Sequence, residues 1–169
     1  MALLALLAAV GLAWSGTSSA NAAWPLPDVP AGEYDIIALD PDGWLRSYDH
    51  DNDSWYDSAD QVFQVTNGLI PAQTTEGYDT TGGGVRNATN DDVTITVDIV
   101  IAPIGAVITV VGDDYSWTVS DGDAAAVAVP AHYHDHFDWS FSQPGDYAIW
   151  VTAESDLRYA DQVYFFTVS

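Results

Sequence analysis

Apolar and polar residues alternate along much of this chain with a period of two. The clearest case is VTITVDIVIA at 93–102. Val93, Ile95, Val97, Ile99 and Ile101 fall on one side, and Thr94, Thr96 and Asp98 on the other. Successive side chains of an extended strand point to opposite faces, so this pattern predicts a strand with one buried face. Residues 33–39, 43–48, 61–67, 106–112, 115–120, 125–129, 146–153 and 162–168 read as shorter strands. Turn-forming runs punctuate them: DPDG at 40–43, GDD at 112–114, DGD at 121–123 and QPGD at 143–146. Residues 74–92, TTEGYDTTGGGVRNATNDD, read as a long polar, Gly-rich loop. No segment after residue 24 carries a helical period, and there is no internal repeat. The expectation is an all-β fold: an antiparallel β-sandwich, Ig-like or jelly-roll-like, in one domain over residues 32–169.

The N-terminus breaks the pattern. Residues 1–14 are almost wholly apolar, then Ala20-Asn21-Ala22 supplies an A-x-A cleavage site. This predicts a secretory signal peptide over residues 1–22. No Lys or Arg precedes the apolar run, so a retained hydrophobic helix is the alternative. Membrane contact is then expected only through that uncleaved segment. Residues 23–31 are Pro-rich and read as an extended linker. Either reading implies export, to the cell surface, the periplasm or the medium.

Charge narrows the partners. Lys is absent, Arg occurs only as Arg46, Arg86 and Arg158, and Asp and Glu total 25, giving a net charge of -22. Such a surface repels nucleic acid and anionic lipid and attracts cations. A halophilic setting, or simple solubility, also accounts for it. Cysteine is absent, which excludes disulfides and thiolate sites.

The segment AHYHDHFDWSF at 131–141 raises a chemical question. Alternation puts His132, His134, His136, Asp138 and Ser140 on one face and Tyr133, Asp135, Phe137, Trp139 and Phe141 on the other. The aromatic face suits the core, so the imidazoles point away from it together, about 7 Å apart at i and i+2. H-x-H on a strand offers two imidazoles to one metal ion. A wet polar face, or histidines bonded to a loop packed over the strand, are the alternatives.

These residues carry a resemblance. His134-x-His136-x-Asp138-Trp139-x-Phe141, followed by Pro144-Gly145-x-Tyr147, resembles the signature of the choice-of-anchor M domain of bacterial surface-anchored proteins. Upstream, Gly32-Glu33-Tyr34-Asp35 sits where that family tends to have G-H-x-D. Trp44 to Asp51 resembles its next strand, which often ends in a His-Asp pair, and 163–168 resembles its last strand. Asp138 stands for the usual Asn and Glu33 for a usual His. The resemblance implies an exported cell-surface module with protein partners there or in a membrane-associated assembly. It also implies that Glu33 and His50 lie on strands able to approach His134 and His136, with His132 as a spare. Such a set suits Zn²⁺ or another divalent transition ion. Glu33 and His50 as ordinary surface residues is the competing reading.

A second acidic stretch competes for metal. Asp49, Asp51, Asp53, Asp57 and Asp60 occupy positions 1, 3, 5, 9 and 12 of a calcium-loop frame. Ser54 replaces the turn glycine and Asp60 the bidentate Glu, so a solvated acidic turn is the alternative. Asn52-Asp53-Ser54 and Asn87-Ala88-Thr89 are glycosylation sequons, the latter in the Gly-rich loop. No nucleophile-elbow motif occurs, and no carboxylate pair is singled out. The expectation is a non-enzymatic structural or interaction module. The alternatives are a metal-binding or delivery protein linked to a transporter, and an accessory subunit held by a retained N-terminal segment.

Overall fold

The computed structural model describes residues 26–29, 34–65, 83–120 and 122–169. Among these residues twelve strands form two sheets. They are β1 (Tyr34–Leu39), β2 (Leu45–Asp49), β3 (Ser54–Tyr56), β4 (Val62–Val65), β5 (Gly83–Asn87) and β6 (Val93–Ile101). Then follow β7 (Val107–Val111), β8 (Ser116–Ser120), β9 (Ala125–Val129), β10 (Tyr133–Phe141), β11 (Gly145–Glu154) and β12 (Tyr159–Val168). The larger sheet has the order β3-β2-β1-β5-β10-β7-β8, and the smaller β4-β12-β11-β6-β9.

Alternation does what the sequence predicts. In β6, Val93, Ile95, Val97 and Ile99 are buried while Thr94 and Val100 are exposed. In β10, Phe137, Trp139 and Phe141 are buried and Asp138 is exposed. The inner faces of both sheets contribute to one shared apolar core. Trp139 stacks on Phe166 across the sandwich at 5.7 Å between ring centres. Its indole N–H donates to the Gly83 carbonyl at 3.1 Å, which satisfies the one polar atom it brings inside.

The sandwich is mixed in strand direction, where a purely antiparallel one is expected. β1 runs parallel to β5, and β12 parallel to β4. Two strands also emerge from stretches that read as loops. β3 lies in the acidic stretch after β2. β5 lies in the Gly-rich run, and its Gly83 and Gly84 carry no strand propensity of their own. Both neighbours dictate it: β1 and β10 bond to it from either side. Of the Pro-rich run, the described residues 26–29 lie against the smaller sheet, with Asp28 bridged in parallel to Val62. Val29 N–H donates to the Val62 carbonyl, and Val62 N–H to that of Pro27.

One irregularity matters for function. Asp35 pairs with Tyr48 on β2 and Ala38 with Arg46, so Ile36 and Ile37 together oppose Ser47. On the other side Asp35 pairs with Gly84 and Ile37 with Val85. This is a β-bulge, and the Ser47 hydroxyl secures it by donating to the Ile36 carbonyl at 2.8 Å. Strict alternation would place Asp35 with Ile37 and Leu39, on the core side. The extra residue lets both isoleucines enter the core, each fully buried, and turns Asp35 to the outer face.

Candidate metal centre

Asp35 has no solvent exposure, although it sits on the outer face of the larger sheet. Three strands and one turn build the cover over it. His134, on β10, lies directly across from Arg86 on β5, and His136 across from Gly84. His50 follows β2. One Asp35 carboxylate oxygen, Oδ1, faces His134 Nε2 at 3.0 Å, and the other, Oδ2, faces His50 Nε2 at 3.0 Å. Arg86 Nη1 stands 3.8 Å from Oδ2. Its guanidinium lies over the Tyr48 ring at 4.4 Å, with Trp55 at 5.6 Å. The imidazoles of His50 and His134 are 5.1 Å apart, centre to centre.

The backbone is shaped for this carboxylate. A Cβ on Gly84 would lie 1.9 Å from Asp35 Oδ1 and 3.2 Å from the Asp135 carbonyl oxygen. The space a side chain would take is therefore filled by the carboxylate. Gly84→Ala is expected to displace Asp35, and to weaken any divalent ion held through that carboxylate by at least the roughly 10–100-fold typical of groups that orient ligands. Titration calorimetry with Zn²⁺ checks this. Unchanged affinity with intact β-type circular dichroism would exclude a role for the Asp35–Gly84 contact.

His50 is delivered by a turn that Asp49 organises. The buried Asp49 carboxylate accepts from Asp51 N–H at 2.9 Å, from Asn52 N–H at 3.1 Å and from the Asn52 side-chain amide at 2.8 Å. The Tyr34 hydroxyl adds a fourth bond at 3.2 Å. Burial pushes the Asp49 carboxyl up, but these donors outweigh it and hold it below its ordinary value. Burial, reinforced by the Asp49 charge, raises the Tyr34 phenol.

Asp35, His50 and His134 form a group that could hold a metal ion: one ligand atom from each lies within 4.8 Å of the others. The donor set suits a divalent transition ion. Nitrogen and oxygen ligands roughly 2.0–2.1 Å from a tetrahedral ion stand about 3.3 Å apart, and each imidazole here stands 3.0 Å from one carboxylate oxygen. No other group of three or more such side chains meets the same limit among the described residues.

The sequence-predicted residues divide accordingly. His50 and His134 come together. His136 adjoins them, its ring 4.8 Å from His134 and 6.2 Å from His50, outside the three-ligand group. His132 does not share their strand face. It precedes β10 with a left-handed φ of 57°, in a turn where its N–H donates to the Thr89 carbonyl. Glu33 lies outside the described residues, as do residues 1–22. Asp35 is the member of the group that spacing missed. An acid inside the otherwise apolar run Tyr34–Leu39 was the available signal.

The five acids of the calcium frame do not converge. Asp49 spends its oxygens on the turn, and Asp53 accepts from the Tyr48 hydroxyl. Asp57 caps a 3-10 turn at Ser58–Asp60 and accepts from Gln162 at 2.8 Å. Asp51 and Asp60 are exposed on this hairpin and its exit. A β-hairpin spreads alternate side chains apart, where a calcium loop must wrap them around one point.

The sequons differ too. Asn52 is exposed, with its amide bonded to Asp49. Asn87, expected in an exposed loop, is wholly buried on β5. Its amide donates to the carbonyls of Asp91 and Pro130, both at 2.9 Å, and its oxygen accepts from the Thr89 hydroxyl at 2.7 Å. A glycan there has no room, because the side chain knits two turns together from inside.

No protein-family model matches this chain, and neither a curated protein nor a solved structure does.

Proposed function

We propose that this chain is an exported, non-enzymatic β-sandwich module that acts at the cell surface as a structural or interaction domain and carries one divalent transition ion on its histidine face. The observation that carries the metal part is Asp35. A carboxylate with no exposure faces a separate imidazole nitrogen with each oxygen, in a chain of net charge -22. Burying a charge is costly unless it is paired or coordinated, so a site is built around this one. The surface location and protein partners rest on the A-x-A site and on the H-x-H-x-D-W-x-F signature.

Delivery of metal to a transporter is the second reading. The exposure of the His134 side chain, 38%, favours it, because a shallow ligand lets an ion exchange.

Purification without a histidine tag, followed by elemental analysis and Zn²⁺ titration, tests the proposal. One ion per chain is expected. His134→Ala should cost more than roughly 100-fold in affinity, beyond the loss typical of outer groups, and His136→Ala less than that. Absence of stoichiometric binding, or equal losses in the two variants, would overturn the assigned ligand set. Mass spectrometry of the mature N-terminus tests export: a start at Ala23 supports it, and an intact Met1 points to a retained segment.

A further inference from the structure

The distribution of cationic groups points beyond the metal. The sequence holds three arginines, four histidines and no lysine against 25 acids. Arg86, His50 and His134 gather around Asp35, and His136 adjoins His134. Elsewhere, among the described residues, Arg46 lies against Asp40 and Arg158 against Asp91. Arg86 thus places a fixed cation beside the candidate metal group on an otherwise acidic molecule, and a bound divalent ion would add to it.

Three protein ligands also leave a tetrahedral ion one position short, the arrangement of sites that take an outside ligand. The His134 and His50 side chains are partly exposed, so the group is open to solvent on their side. Arg86 flanks it. Its Nη1 is 3.8 Å from Asp35, too far for a hydrogen bond. The guanidinium lies over the Tyr48 ring, which holds it beside the carboxylate, and a guanidinium carries five N–H donors suited to a carboxylate.

Resting on the metal site proposed above, we infer that this centre binds a carboxylate as its outside ligand, one oxygen on the ion and the other on the Arg86 guanidinium. A carboxylate fits better than phosphate for two reasons. It is planar, as suits a site walled by the Tyr48 and Trp55 rings. It also carries one charge, so the acidic surroundings and nearby Asp35 repel it less than a dianion.

The test uses the full chain loaded with Co²⁺, whose visible absorption reports its coordination. Acetate is the probe, with phosphate and chloride as comparators. A saturable spectral change with acetate is expected, at lower concentration than with phosphate or chloride. At saturating Co²⁺, Arg86→Gln should bind acetate about tenfold more weakly, the size of one charge-assisted hydrogen bond, and Arg86→Lys should recover part of the loss. Co²⁺ binding without any response to acetate overturns the inference and leaves the metal site standing. So does equal acetate affinity in Arg86→Gln, or a preference for phosphate. Failure to bind Co²⁺ removes the metal site and the inference together.

Discussion

Asp35→Asn is expected to abolish stoichiometric metal binding, with an affinity loss above roughly 100-fold, while the fold persists. Asparagine has the shape of aspartate, so it fits beside Gly84 where a Cβ would strike the carboxylate. What it lacks is the negative charge and the second acceptor oxygen. Both Asp35 oxygens now face an imidazole at 3.0 Å, and an amide can present only one acceptor to the two of them. Loss of charge also leaves the Arg86 guanidinium, which repels a divalent ion, without its carboxylate neighbour. Zn²⁺ calorimetry measures the effect, and circular dichroism confirms the fold. An Asn variant that binds within about threefold of the wild type, less than one charge-assisted bond is worth, would place the ion elsewhere.

The second large effect concerns stability. Trp139→Ala should cost about 3–5 kcal/mol, the range for emptying a buried aromatic position. Trp139 is 1% exposed and stacks on Phe166, with Trp117 edge-on at 6.3 Å. Truncation leaves a cavity that these rings cannot fill without leaving their rotamers. It also removes the donor to the Gly83 carbonyl, beside the glycine that accommodates Asp35. Trp139→Phe keeps a ring and loses the bond, so it should fall between the two. Urea unfolding at constant slope reads the difference. A loss near 1 kcal/mol for the alanine variant would mean that the two sheets are not packed through this residue.

These two residues show how far the sequence can be read. Trp139 was assigned to the core from its place between Phe137 and Phe141 at alternate positions. That inference is local, because the faces of a strand follow from neighbours along the chain. The same logic correctly sent His134 and His136 outward. It failed one step earlier: His132 lies in the turn before β10 with a left-handed backbone, outside the alternation. It failed again at Asn87, where the glycine-rich composition masked a strand that β1 and β10 impose.

The sequence by itself determined an all-β chain, the faces of its long strands, its acidic surface and two imidazoles projecting together. Each of these depends on composition or on residues near one another in the chain. Only the tertiary structure decided which carboxylate meets them. Asp35 lies 15 residues from His50 and 99 from His134, and reaches both because β1 and β10 flank β5. The bulge at Ile36–Ile37 then reverses the face that simple alternation assigns to Asp35. Strand order and a shifted register arise from pairing between distant segments, so no local pattern records them.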